Sequence, residues 1–175
     1  MSMLLLFKIV ISIVILQRLT ELYISKRNEK WLIDNGAVEF GESHYKYIVL
    51  MHTCFILALI GEFYLRYHIR ARTQEISIFN LAFLVFFIVL QIGRVWVITS
   101  LGKYWNTKIF RIPGSRLVNW GPYRYLRHPN YLIVALEILS LPLIFNLHYT
   151  CFLFSIWNII MISVRLQEEN RALQI

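Results

Sequence analysis

The chain predicts an all-α, polytopic membrane protein with about five transmembrane helices, the last two forming a tight helical hairpin. Three observations predict it. Of 175 residues, 58% are hydrophobic and only 16% are charged, with a mean hydropathy of +0.56, which is too apolar for an ordinary soluble domain. The apolar residues gather into runs at about 3–16, 47–65, 77–98, 131–147 and 149–164, each approaching the roughly 20 residues that cross a bilayer. The cations flank those runs. A net charge of +8 and a pI near 9.7 would otherwise suggest nucleic acid, but no basic helix or stacking motif organises them, and membrane topology accounts for them better.

The first run contains Lys8 and is short, so it spans by borrowing Leu19, Leu22 and Ile24 from its continuation, with Arg18 snorkelling to the headgroups. That continuation, QRLTELYISKRNEKWLI, sets Arg18, Glu21, Ser25 and Glu29 at helical spacing on one face and stops at Asp34-Asn35-Gly36. It reads as a helix running along or out of the membrane surface. No small-residue cleavage site follows the first run, so it is expected to remain as an anchor rather than leave as a signal peptide. Runs two and three are long and clearly apolar. Only Asn146-Leu147-His148 separates the last two, enough for a tight turn between helices, and Pro142 is expected to bend the first arm or mark its end. Cys54 and Cys151 both lie inside apolar runs and read as packing side chains, neither a disulfide nor a metal site. With no internal repeat or low-complexity linker, residues 1–175 form one membrane domain, the cofactor-site region covering about 100–175.

Orientation follows from Lys and Arg, which cytoplasmic loops retain in excess. The connection after the first run carries Arg18, Lys26, Arg27, Lys30 and Lys46. The one after the third carries Arg94, Lys103, Lys108, Arg111, Arg116, Arg124 and Arg127, and the tail Arg165 and Arg171. Only Arg66, Arg70 and Arg72 follow the second run. Five spans with the N-terminus outside therefore put most of the cations in the cytoplasm, and bring the central loop and the C-terminal RLQEEN to the same face.

Chemistry concentrates in GPYRYLRHPNYL, Gly121 to Leu132. Gly121-Pro122 breaks any preceding helix, and Pro129 pushes His128 towards an extended backbone, so a shaped polar loop leads into an apolar run. Arg127, His128, Pro129, Asn130 and Tyr131, together with Arg165, Glu168 and Glu169 one helix pair later, would gather arginines, a histidine, tyrosines and carboxylates at one membrane rim. Such a set suits a zwitterionic ligand: Glu for an ammonium or ribose hydroxyls, Arg for a carboxylate, an aromatic ring for a base. The competing reading is an interfacial belt of Arg, Tyr and Trp, common in membrane proteins; it applies equally to Tyr104, Trp105 and Trp120 in the same loop.

GPYRYLRHPNYL, Asn146 and the Arg165–Glu169 run RLQEE together resemble the isoprenylcysteine carboxyl methyltransferase family over about the last third of the chain. The resemblance implies an integral-membrane enzyme that encloses S-adenosylmethionine at the cytosolic face while a lipid-tailed substrate enters sideways from the bilayer. Tyr123, Arg127, His128, Pro129 and Tyr131 would line the cofactor pocket, Glu168 and Glu169 would close it, and Arg165 would orient the carboxylates or the acceptor. Ile133 and Leu147 stand where the family often has glycine and proline, and the chain stops six residues beyond Glu169, which points away from a prenylated protein terminus. The string NYLIVALEILSLPLIF is similar to a bacterial branch found with type III polyketide synthases. The resemblance thus implies O-methylation of an alkylpyrone or alkylresorcinol, or of a prenylcysteine-like carboxylate, and a functional link to such a synthase.

Glu137 lies six positions into the fourth run, where a carboxylate is costly unless paired, hydrated or protonated. It is expected either to act on the acceptor's proton or to bond another helix through Gln91 or Asn158. His52 and Glu62 read as structural, Glu62 with Arg66 four residues on. Methyl transfer asks mainly for in-line positioning and exclusion of water, with Arg127 or Arg165 steering the acceptor oxygen and His128 taking a proton from a phenol. Competing functions are a phospholipid N-methyltransferase, a membrane reductase using NADPH, and a non-catalytic membrane protein. A soluble methyltransferase fold is excluded, since no Gly-rich strand-turn-helix fingerprint exists among seven glycines.

Overall fold

A computed structural model describes residues 2–69 and 75–173. Five helices dominate: α1 (Met3–Asp34), α2 (Glu42–Ile69), α3 (Ile78–Leu101), α4 (Pro129–Leu143) and α5 (His148–Ala172). The all-α expectation is modified by a small ribbon in which β1 (Val38–Phe40) pairs antiparallel with β2 (Ile109–Arg111), Glu39 opposite Phe110. Helices α1, α2, α3 and α5 are long and apolar enough to cross a membrane. α4 is apolar but has only 15 residues, about 22 Å at the helical rise. Arg70 and Arg72, counted above for orientation, lie outside the described residues.

The first run and its amphipathic continuation form one unbroken helix of 32 residues. Ser2 opens it by accepting a hydrogen bond from the Leu5 amide at 3.3 Å. It closes where Gly36 takes a positive φ of 77° and Ala37 donates back to the Leu32 carbonyl at 3.0 Å. Its polar face packs against protein. Ser25 and Asn28 are buried against the loop that follows α3, where Asn28 Nδ2 donates to the carbonyls of Gly102 (3.0 Å) and Trp105 (2.7 Å). A loop with unsatisfied carbonyls and a helix face of small polar residues satisfy each other.

α3 begins with a capping box between Ser77 and Asn80. Asn80 Nδ2 also donates 2.9 Å to the Ile144 carbonyl, tying the start of α3 to the end of α4. Pro142 is the penultimate residue of α4, and Asn146 turns the chain with a φ of 56°, so the helix stops close to its proline. α5 then packs antiparallel to α4: Tyr131 meets Glu169 near one end, and Cys151 Sγ donates 3.4 Å to the Leu139 carbonyl near the other. Glu62 of α2 caps α5, accepting from the Thr150 amide at 2.7 Å while paired with Arg66 at 2.9 Å. This gives Glu62 the structural role its position suggested. At the same end of the bundle Phe7 stacks on Phe63 with centroids 3.7 Å apart, and Phe145 packs edge-on to both. Leu16, Phe79 and Phe152 are each more than 60% exposed, the outward apolar surface that four membrane-crossing helices require.

Candidate active site

Two polar clusters border one cavity. The first lies at the rim. Gly121 has a φ of 60°, and a Cβ there would sit 2.3 Å from Ser100 Oγ, so only glycine lets the GPYR turn press against α3. Pro122 is buried beneath this turn, and Pro129 starts α4 at a position where a missing amide hydrogen costs nothing. One turn along, the Tyr131 ring stacks on His128, centroids 5.4 Å apart and 9° from parallel. The Tyr131 hydroxyl donates to Glu169 Oε2 and accepts from Arg165 Nε at 3.0 Å, while His128 Nδ1 lies 3.4 Å from the same Glu169 oxygen. The helix pair thus brings together His128, Tyr131, Arg165 and Glu169 across 41 residues of sequence. Burial, and then the Glu169 carboxylate, push the Tyr123 phenol well above its usual range, so Tyr123 keeps its proton and can donate.

Other expected residues stand further out. Arg127 is exposed, Glu168 pairs with Arg171 at 2.7 Å, and Trp120 and Tyr104 are exposed. Trp105 instead is buried. Thr107 is a junction that sequence reasoning missed. Its carbonyl accepts from Arg165 Nη2 at 2.7 Å, and its hydroxyl meets Ser25 Oγ at 2.8 Å and Tyr45 at 3.1 Å. Three helices therefore converge on one loop residue. Nothing in the local spacing of Asn106-Thr107 marks it.

The second cluster lies inside the bundle. Glu137 Oε2 accepts from Arg18 Nη2 at 2.8 Å and Arg94 Nη1 at 2.7 Å, and Oε1 accepts from Gln91 Nε2 at 2.9 Å. Glu21 accepts from Arg18 Nη1 at 2.9 Å, Arg94 Nη2 at 2.7 Å, Arg94 Nε and Gln17 Nε2. Two guanidinium groups and two carboxylates cancel, and every acidic oxygen has a partner. Of the partners expected for Glu137, Gln91 is the one it meets, and two arginines join it. The network also corrects the expectation for Arg18, whose guanidinium turns inward because two buried carboxylates each accept one of its charge-assisted hydrogen bonds.

Between the clusters is a cavity of about 480 Å³. Tyr45, Asn106, Thr107, Asn130 and Arg165 contribute to its polar end, Arg18, Gln91 and Glu137 to a deeper patch, and Phe55, Phe87, Val134 and Leu141 to its apolar walls. Ile15, Leu19 and Leu22 of α1 and Val49 and Leu57 of α2 line it while also being exposed. The cavity therefore opens between these two helices toward the lipid. His128 and Tyr131 stand beside it rather than on its wall, joined to it through Arg165. Trp105 Nε1 and Asn130 Oδ1 are buried and have no protein partner among the described residues, a donor and an acceptor left for something else.

The cavity and the rim of Arg, His, Tyr and Glu beside it meet at Arg165. The chain is a member of the isoprenylcysteine carboxyl methyltransferase family, whose model matches residues 82–175 and so takes in both the GPYRYLRHPNYL segment and RLQEE. That family consists of membrane methyltransferases. Along almost its whole length the chain is similar to YpbQ of Bacillus subtilis, with 44% identity over 168 residues and 96% of each chain covered. A Haemophilus influenzae protein is 30% identical over 163 residues, covering 89% of this chain and 88% of the relative. Both relatives are described only as uncharacterized. No solved structure matches.

Proposed function

We propose that this protein transfers a methyl group from S-adenosylmethionine to an oxygen of a lipophilic acceptor. The observation that carries the reading is the junction, through Arg165, of the His128–Tyr131–Glu169 cluster with the amphiphilic cavity. The donor set suits the methyl donor. The orphaned Trp105 N–H and Asn130 carbonyl oxygen offer one donor and one acceptor, Glu168 and Glu169 offer anionic oxygens for hydroxyls or an ammonium, exposed Arg127 suits a carboxylate, and the paired His128 and Tyr131 rings offer flat faces. When bound, S-adenosylmethionine supplies a methyl group already activated on a sulfonium sulfur. Tyr123 and Pro129 would shape the pocket, and Arg165, held by Tyr131 and Thr107, would steer the acceptor oxygen. The apolar walls would hold the acceptor's tail and exclude water.

The acceptor class that fits a lipid-open cavity of this size is a flat polar head on a long tail: an alkylpyrone-like or alkylresorcinol polyketide, or a prenylcysteine-like carboxylate. The first would link the enzyme to a type III polyketide synthase. With α4 counted as a fifth span and the N-terminus outside, the site faces the cytoplasm. Calorimetry on detergent-purified protein should show binding of S-adenosylmethionine and S-adenosylhomocysteine but not NADPH. Radiolabelled methyl groups should then pass to an oxygen of a component of a membrane lipid extract. Binding of NADPH alone, or label on a phosphatidylethanolamine nitrogen, would replace this reading with the reductase or the N-methyltransferase.

A further inference from the structure

We infer that His52 takes the proton from a hydroxyl-bearing acceptor, an assignment that rests on the methyltransferase reading. α2 presents Tyr45, Ile48, Val49, His52, Thr53 and Ile56 to the cavity at helical spacing. His52 Nδ1 lies 2.9 Å from the Ile48 carbonyl oxygen. A carbonyl only accepts, so Nδ1 carries the hydrogen, and in the neutral ring Nε2 is left with its lone pair. Nε2 has no protein partner among the described residues. Arg18 and Glu21 from α1, Arg94 from α3, Glu137 from α4 and Arg165 from α5 line the same cavity, with Tyr45 on the helix of His52.

The alternatives are occupied. Both oxygens of Glu137 and both of Glu21 accept from guanidinium or amide groups, and Glu169 accepts from Tyr131 beside the cavity. His128, the base expected from the sequence, turns Nδ1 to Glu169 and is not on the cavity wall. His52 is the neutral base that the wall presents with an open nitrogen. In the step, the acceptor O–H bond breaks and its proton passes to His52 Nε2. The oxygen forms its bond to the methyl carbon as the carbon–sulfur bond breaks, the sulfur keeping that bonding pair as a thioether. Arg165 and Arg18 supply positive charge for the developing oxyanion, and His52 later returns its proton to solvent.

The test uses the full chain in detergent with S-adenosylmethionine and two acceptors, 5-pentadecylresorcinol, which must lose a proton, and palmitate, which is already anionic. In His52→Gln, which keeps an acceptor atom without a comparable base, kcat for the resorcinol should fall by about 100-fold, the usual scale of general-base loss. S-adenosylmethionine affinity and resorcinol binding, read by tryptophan fluorescence, should hold. Raising the pH towards the phenol's own ionisation should recover part of the rate. Unchanged kcat in His52→Gln, wild-type turnover of palmitate alone, or loss of S-adenosylmethionine affinity in the variant would each overturn the assignment and leave the methyltransferase reading standing. Wild-type protein that binds S-adenosylmethionine but methylates neither acceptor overturns the assignment as well, and wild-type protein that does not bind it at all sinks the parent reading.

Discussion

The two polar clusters contain the same residue types, arginine and glutamate, yet they are built to opposite ends. In the inner one, Arg18, Glu21, Arg94 and Glu137 satisfy one another, and Arg94, Glu21 and Glu137 are each at most 5% exposed. At the rim, Arg127 is exposed, Glu169 is about a third exposed, and Trp105 Nε1 and Asn130 Oδ1 are orphaned. In the inner cluster every carboxylate oxygen already accepts a hydrogen bond, and the network ties α1, α3 and α4 together. An unsaturated cluster costs stability in the free protein and recovers it on binding.

The comparison is broken most directly at Arg94. Arg94→Met leaves two buried carboxylates short of partners and should cost roughly 3–5 kcal/mol, read as a large drop in the melting temperature of detergent-solubilised protein. Arg94→Met/Glu137→Met should cost less than the two single changes together; an additive double variant would show that the quartet is not one unit. At the rim the pattern reverses. Glu169→Gln or Arg127→Ala should leave melting within a degree or two and weaken S-adenosylmethionine binding by about 10- to 100-fold, the scale of a lost charge-assisted hydrogen bond. A stability loss there with unchanged affinity would assign the rim to architecture.

A smaller effect is expected where α1 docks on the loop. Asn28→Ala leaves two carbonyls without their donor and should cost about 1–3 kcal/mol, with faster amide exchange in residues 102–107 as the local signature. The smallest concerns Lys108, which bridges Glu29 at 2.8 Å and Glu39 at 3.2 Å between α1 and the ribbon. Its hydrogen bond to Glu29, and then those to Glu39, raise its pKa above the usual lysine value. A raised folded-state pKa gives stability that is complete below about 10.5 and fades only as pH climbs through the raised value. Melting of the wild type and of Lys108→Met should therefore differ by a constant, small amount between pH 6 and 9, since the pair is partly solvated.

How much of this was legible in the chain differs by element. The long apolar runs declared α2 and α3, because twenty apolar residues have few other fates. Asn146-Leu147-His148 points to the turn between the last two helices. The apolar run 131–147 starts two residues after α4 begins and runs past its end, since Ile144 and Phe145 are as apolar as the residues before them, whereas Pro142 marks the end within one residue. Viewed along one helix, Arg18 at the end of an apolar run belongs with the headgroups. Glu137, more than a hundred residues away, reverses that choice.

Residue by residue, the amino-acid order determined the helical, membrane-crossing character of the chain and the Pro-pinned basic turn, because hydropathy and proline geometry act over a few neighbours. Only the tertiary structure decided which charges are spent and which remain open. Whether Arg94 neutralises Glu21, whether Thr107 joins three helices, and whether His52 faces a cavity depend on distances between segments that no local pattern encodes.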